Sequence, residues 1–368
     1  MTAQGIATVA RQEFRIRIRA GRWRWLLGAW FTVLLIVTVL LKLSVDQVAE
    51  SNATNKGVVV YGGLTLLVLG LALLVVPTLA AQSVNGDRER GTLATLQVTR
   101  LTAGDIALGK LAAAWGTALV FLGLTLPLVL WCMTMGGVPL GRVVVVTAVV
   151  ALVLGTVSAV SLCLSSLLTR TTTSGVLAYL AVFALTIGTL IAFGLGTALT
   201  QESYQGTSRC PSLADLESNG VPATQAQQEV QGCSTSTYSG TRSRPDEVWW
   251  LLAPNPFVIL ADAAPQLPPE TTTARLARQA REARGIYRSD LRDSDPLGGL
   301  GRSIRGLRTP PSSDGSSAVF QSGGKTGRRP VWPYGLAFDV ALGGTALWLT
   351  TRRLRTPSRT LARGQRIA

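Results

Sequence analysis

Six stretches of near-continuous Leu, Val, Ala, Ile and Phe interrupt this chain, and they constrain its fold more than any other feature. They run Trp25–Leu41, Val58–Ala80, Leu111–Met135, Val143–Leu168, Gly175–Leu199 and Val331–Thr351. Each has roughly the 17–25 residues needed to cross about 30 Å of hydrocarbon as a helix. Only the last contains an acidic residue, Asp339. A water-soluble fold would have to bury six helices without polar faces in a chain of 368 residues, 47% of them hydrophobic and 15% charged. The expected fold is therefore an all-α integral membrane protein with six spanning helices.

Charge orients it. Arg11, Arg15, Arg17, Arg19, Arg22 and Arg24 precede the first span, and Arg352, Arg353, Arg355, Arg359, Arg363 and Arg366 follow the last. Basic residues in short loops stay on the cytoplasmic side. Six spans put both ends there, with the 352–368 tail, in the inner (plasma) membrane. Arg88, Arg90, Arg100, Lys110 and Arg170 lie in the loops on the same side. Only Lys42 and Lys56 lie between the first two spans, and "GGVPLG" after the third carries no charge. A cleaved leader over residues 1–45 is disfavoured, because its basic region is long and no A-x-A site follows.

The net charge of +15 is spread around spans rather than gathered in a soluble basic module with interleaved aromatics. Anionic lipid headgroups, not nucleic acid, are the expected counter-surface. Residues 1–24 read as an interfacial amphipathic helix. Ile6, Val9, Ala10, Phe14, Ile16 and Ile18 share one face, Arg11, Arg15, Arg19 and Arg22 the other, and Glu13 is spaced to pair with Arg17.

Residues 200–330 form one long connection, expected outside. Its length exempts its many basic residues from the charge rule. Within it, 248–263 ("VWWLLAPNPFVILADA") is apolar but short and carries Pro254, Asn255, Pro256 and Asp262, so a re-entrant or interfacial piece is expected. Thr271–Arg284 reads as a solvated helix. The polar stretches near 203–243 and 309–328 read as flexible or disordered. Cys210 and Cys233 share the first of these, and an oxidising exterior would join them in a disulfide. Cys132 and Cys163 lie inside spans as small apolar residues.

The chain contains no His, which excludes Ser-His-Asp and Cys-His catalysis and the common His-bearing metal sites. Ser322–Gly327 ("SGGKTG") resembles the end of a phosphate loop, but Val319 stands where the leading glycine belongs. No enzyme activity, metal or bound cofactor is expected. Small residues recur at every fourth position in the fourth span (Ala151, Gly155, Ala159, Cys163) and the fifth (Ala184, Gly188, Ala192, Gly196), a spacing that suits close helix packing. Asp339, as an ionisable group several residues in from the outer end of its span, is a candidate polar site.

The most polar insert is "NGDRERGTLATLQVTRLTAGDIALGK", Asn85–Lys110, within a loop spanning 81–110. It divides into a charged turn, a short helix from near Thr92, a break at Thr102–Gly104 and a second helical turn entering the third span. Thr92 and Asp105 are candidate caps. Glu89, Arg90, Gly91, Thr92, Leu93, Leu96, Thr99, Leu101, Ile106, Leu108, Gly109 and Lys110 resemble the coupling segment of permeases of type-2 ABC exporters. The six spans, the amphipathic N-terminal helix and the large element before the last span extend the likeness. The resemblance implies that Arg88, Glu89, Arg90, Gly91, Thr92 and Leu93 dock on a separate ATPase subunit, which alone uses ATP. It also implies a second permease copy or paralogue as a dimer partner. A secondary transporter and a membrane scaffold with an outward recruiting loop are the rival readings. The Arg-, Ala- and Gly-rich composition fits a GC-rich bacterial genome.

Overall fold

The computed structural model describes residues 2–19, 21–48, 54–89, 102–207, 237–267, 294–310 and 329–355, with the single positions 276, 280 and 291. Two compact units divide the chain: Met1–Leu190 with Leu252–Ile304 and Pro330–Ala368, and Ile191–Leu251 with Arg305–Arg329.

The first unit is a helical bundle. It comprises α1 (Ala3–Arg19), α2 (Arg22–Val48), α3 (Lys56–Ala81), the single-turn α4 (Asn85–Glu89), α5 (Ala103–Gly123), α6 (Leu126–Thr134), α7 (Leu140–Leu167) and α8 (Thr171–Phe183). A π-helical turn over Ala184–Gly188 follows α8 and leads into α9 (Thr189–Leu199), most of which belongs to the second unit. Further along come α10 (Pro256–Ala263), α11 (Pro296–Gly306) and α12 (Trp332–Leu354). At its centre α7 packs against α3, α5, α8, α10 and α12, while α1 lies along α5. Leu64, Leu69, Phe121, Leu154 and Leu162 fill the core. Trp23 and Trp30 set their ring edges on Phe121, with centroids 5.5 and 5.0 Å away, and so fix α2 to α5.

Five helical runs are long and apolar enough to cross a membrane: Trp23–Gln47, Lys56–Glu89, Ala103–Thr134, Leu140–Leu167 and Thr171–Leu199. The expected sixth span, Val331–Thr351, corresponds to α12, an unbroken helix of 23 residues that is not among those five. Its length suffices, but Asp339, three glycines and three threonines dilute its apolar surface. The expected third span is two helices, because Pro127 has no amide to continue the first ladder and instead opens α6. Pro77 stays within α3. The α6–α7 turn uses Gly137 at φ +84, where a Cβ would meet Val58 Cγ2 at 2.5 Å.

α10 is largely buried, with Ile259, Leu260 and Ala261 at 0–1% exposure. Polar side chains at its two ends hold it in place. Asn255 caps α10 by accepting from the Phe257 and Val258 amides, and its amide donates to Thr186 O at 2.7 Å. Asp262 Oδ2 accepts from the Val331 and Trp332 amides at 2.6 and 2.7 Å, which caps the start of α12. Gly335 then passes so close to Ala253 O that no Cβ would fit between them.

In the second unit, strands β1 (Gln201–Thr207) and β2 (Thr237–Ser243) form an antiparallel ladder from Gln201↔Ser243 to Thr207↔Thr237. These strands occupy both ends of the stretch expected to be flexible. Cross-strand charge supports them: Arg244 and Arg242 reach Glu202 at 2.8 and 3.4 Å. Arg308 sits over the Trp249 ring at 4.3 Å.

Candidate functional site

The described parts of the polar insert, residues 85–89 and 102–110, lie at the end of the bundle where α3, α5 and α7 meet. Thr102 caps α5: its hydroxyl accepts from the Asp105 amide, while the Asp105 carboxylate accepts from the Thr102 amide, a reciprocal capping box. Asp105 Oδ1 also accepts from the Thr2 amide at 2.9 Å, so the same carboxylate holds the start of α1. One turn later Gly109 lies under α1, where a Cβ would meet Val9 Cβ at 2.6 Å. The glycine is what lets the two helices touch.

Lys110, 0% exposed, is buried beneath this contact. Its ammonium donates to Glu13 of α1, to Asp87 of α4, and to Ser83 O in the turn after α3 at 3.0 Å. A buried ammonium is costly unless its three donors are used, and here all are.

α4 is held equally firmly on its other side. Arg88 Nη1 donates to Leu168 O at 3.0 Å and Nη2 to Ser166 O at 3.4 Å, at the carbonyl end of α7. Cationic donors suit that end of a helix. The Val84 and Asn85 amides donate to Ser165 Oγ at 3.2 Å each. Glu89 accepts from the Thr171 hydroxyl at 2.9 Å, at an exposed position beside the start of α8. The arrangement offers charge-assisted anchoring to three helices rather than a reacting centre. Arg90, Gly91, Thr92 and Leu93 lie outside the described residues.

α1 meets the bundle through only part of its surface. Its buried residues are Gly5 and Val9, whereas Ile16 and Ile18 are 56% and 48% exposed. Glu13 does not form its ion pair with Arg17 but with Lys110. Arg17 instead donates to Thr117 Oγ1 and Leu79 O, both at 3.2 Å. The helix thus meets protein through a partly polar face, because the partners at the bundle end are polar.

The other sequence-named residues lie elsewhere. Asp339 is 2% exposed, and its Oδ1 has no hydrogen-bond partner. Its main-chain oxygen accepts from Thr156, near the middle of α7, at 3.2 Å. It is therefore enclosed between α12 and α7 rather than open to solvent. Gly155 makes room for the Trp115 indole, whose Nε1 would lie 3.3 Å from a Cβ at that position, and the indole donates to Ala151 O at 2.8 Å. Ala159 packs with Cys163 and Ala346 of α12. Gly196 faces Leu251 and Val248 at 3.0 and 3.3 Å, whereas Gly188 is approached only by its own helix. Ala192 is half-buried. The π turn inserts a residue between Ala184 and Ala192, so this four-residue ladder does not stay on one face. Cys210 and Cys233 lie outside the described residues, as do Thr271–Arg284 except Leu276 and Ala280, Ser322–Gly327, and the tail from 356.

Sequence reasoning missed the Arg142–Asp295 pair, which meets at 2.6 Å with both side chains 1% exposed. Arg142 directly follows the "GGVPLG" turn, and a lone Arg opening an apolar helix was the available signal. The Asp262 cap was foreshadowed only as a polar residue in an apolar stretch.

No curated protein matches the chain. A family model described as ABC-2 family transporter protein matches residues 7–259, a range that takes in most of α1, the Lys110 cluster, the five apolar helical runs and the first half of α10. The chain is a multi-pass ABC permease and belongs to the ABC-2 transporter family.

Proposed function

We propose that the chain is the permease subunit of an ATP-driven exporter, coupled through residues 81–110 to a separate ATPase subunit. The anchoring of α4 carries this reading. A load on the exposed Glu89 side would pass through Asp87 to Lys110 and α5, and through Arg88 to the end of α7. A loop that merely joined two spans would not need to be tied to both neighbours.

In this reading α12 is the sixth span, both termini are cytoplasmic in the inner membrane, and residues 200–330 are outside. The 23-residue length of α12 and the Arg-rich segments at both ends support it. The pathway is formed with a second copy or a paralogue, and anionic lipid faces the basic side of α1. This chain binds no ATP itself.

The test is co-purification of an ATPase subunit from native membranes, comparing wild type with Glu89→Arg. Glu89 is exposed, so the change costs little folding stability, but it reverses a charge on the proposed docking face. Membrane insertion should be unchanged, while ATPase capture or ATP-driven transport should fall. Wild-type capture and transport in the variant would refute the coupling role.

A further inference from the structure

The end of α7 opposite the Arg88 clamp carries a second buried ionic contact. Arg142, in the first turn of α7, meets Asp295, which immediately precedes α11, across 153 residues of sequence. The surroundings are tight. A Cβ on Gly62 of α3 would lie 2.8 Å from Pro296 Cδ, and one on Gly298 would collide with Asp295 Oδ2. The Leu291 amide donates to Thr54 O at 3.3 Å. The Tyr61 phenol lies near Arg142, Asp295 and Cys132, and Cys132 is 0% exposed.

The contact is incomplete. Arg142 Nη2 donates to Asp295 Oδ2, but Arg142 Nε and Nη1 and Asp295 Oδ1 are buried with no hydrogen-bond partner. Buried charges repay their desolvation only when their remaining donors and acceptors are also satisfied. These are not, so both groups gain solvation when they separate. An apolar pair of similar size would hold the same two elements together more firmly.

We propose that Arg142 and Asp295 form a release latch: they hold α11 against α7 and α3 in the packed arrangement, and their separation admits water to the face containing Tyr61 and Cys132. The latch goes beyond the exporter reading and does not depend on it, because its test needs neither ATPase nor substrate.

Three forms of the full chain are compared in native membranes: wild type, Asp295→Asn, and Arg142→Met with Asp295→Leu. Thermal midpoint is measured, together with the rate at which a maleimide modifies Cys132, resolved peptide by peptide so that the other cysteines are read separately. Asp295→Asn, which leaves the buried guanidinium without its counter-charge, should lower the midpoint and raise Cys132 modification by roughly tenfold or more. The apolar double variant should have a midpoint at or above wild type and modify Cys132 more slowly than wild type. A double variant as unstable as Asp295→Asn, or one that fails to accumulate, would show that the pair is structural and overturn the latch. Equal Cys132 rates in all three forms would also overturn it.

Discussion

Removing the ammonium at the centre of the α1–α4–α5 junction is the sharpest test of how that junction holds. In Lys110→Met the side-chain volume is nearly kept, but Glu13 and Asp87 lose their shared cation and Ser83 O loses its donor. Breaking a fully buried ion pair costs about 3–5 kcal/mol. The carboxylates here keep 17% and 13% exposure, so water recovers part of that, and about 2–3 kcal/mol is expected, roughly 30- to 150-fold in the local equilibrium. Hydrogen exchange reads it locally: amides of α1 should lose protection relative to those of α7, and the thermal midpoint should fall. Adding Glu13→Gln and Asp87→Asn to Lys110→Met removes the facing like charges and should restore part of the protection. Lys110→Met with wild-type α1 protection and midpoint would refute the reasoning, and so would a triple variant no better protected than the single one.

Three further outcomes are expected. In a background without native cysteines, an impermeant maleimide added to intact cells should label Ser239→Cys and not Ser358→Cys; labelling of both from outside would overturn the proposed topology. Non-reducing peptide mapping of freshly isolated membranes should recover Cys210 linked to Cys233, and two free thiols there would end the disulfide proposal. Hydrogen bonds from Arg244 and then Arg242 hold the Glu202 carboxyl below its usual range. Their support of the β1–β2 hairpin is thus complete above the ordinary carboxylate value and is lost as pH falls through the depressed one. Protease nicking of residues 237–243 should rise in that acidic window in wild type and show no such step in Glu202→Gln.

The spanning helices were legible because lipid imposes one rule: every main-chain polar group is satisfied within the helix, so apolar run length reports them directly. Where protein rather than lipid is the neighbour, that rule says little. The start of α5 lies eight residues before the expected span because the Thr102–Asp105 box, not hydropathy, sets it. The partners of Glu13 and Arg17 were hidden for a related reason: a helical wheel pairs residues along one helix, whereas α1 docks on Lys110 and Thr117 and so turns Glu13 and Arg17 toward the bundle. Close approach was read from four-residue ladders, yet the closest approaches to main-chain oxygen fall at glycines outside them, Gly335, Gly57 and Gly301. Each meets a main-chain oxygen of a segment distant in sequence, so nothing in its own flanking residues marks it. Arg142 and Asp295 are separated by 153 positions, and no local pattern pairs them.

The polarity of the Asn85–Lys110 insert follows from what lies at this end of the bundle. The first and last turns of every helix leave main-chain groups without intrahelical partners. The insert supplies partners for several of them: Asp105 takes the Thr102 amide at the start of α5 and the Thr2 amide beside α1, Arg88 takes carbonyls at the end of α7, and Lys110 takes Ser83 O just after α3. Hydrogen bonds to a charged group contribute about 1.5–3 kcal/mol each, more than an uncharged loop residue would offer. The same bonds have a mechanical consequence. Because α4 is tied through Asp87 and Arg88 to the ends of two helices, displacing it by one turn would have to move those ends or break charge-assisted bonds at both. Residues that satisfy helix termini are therefore also the residues through which a docked partner could move the bundle.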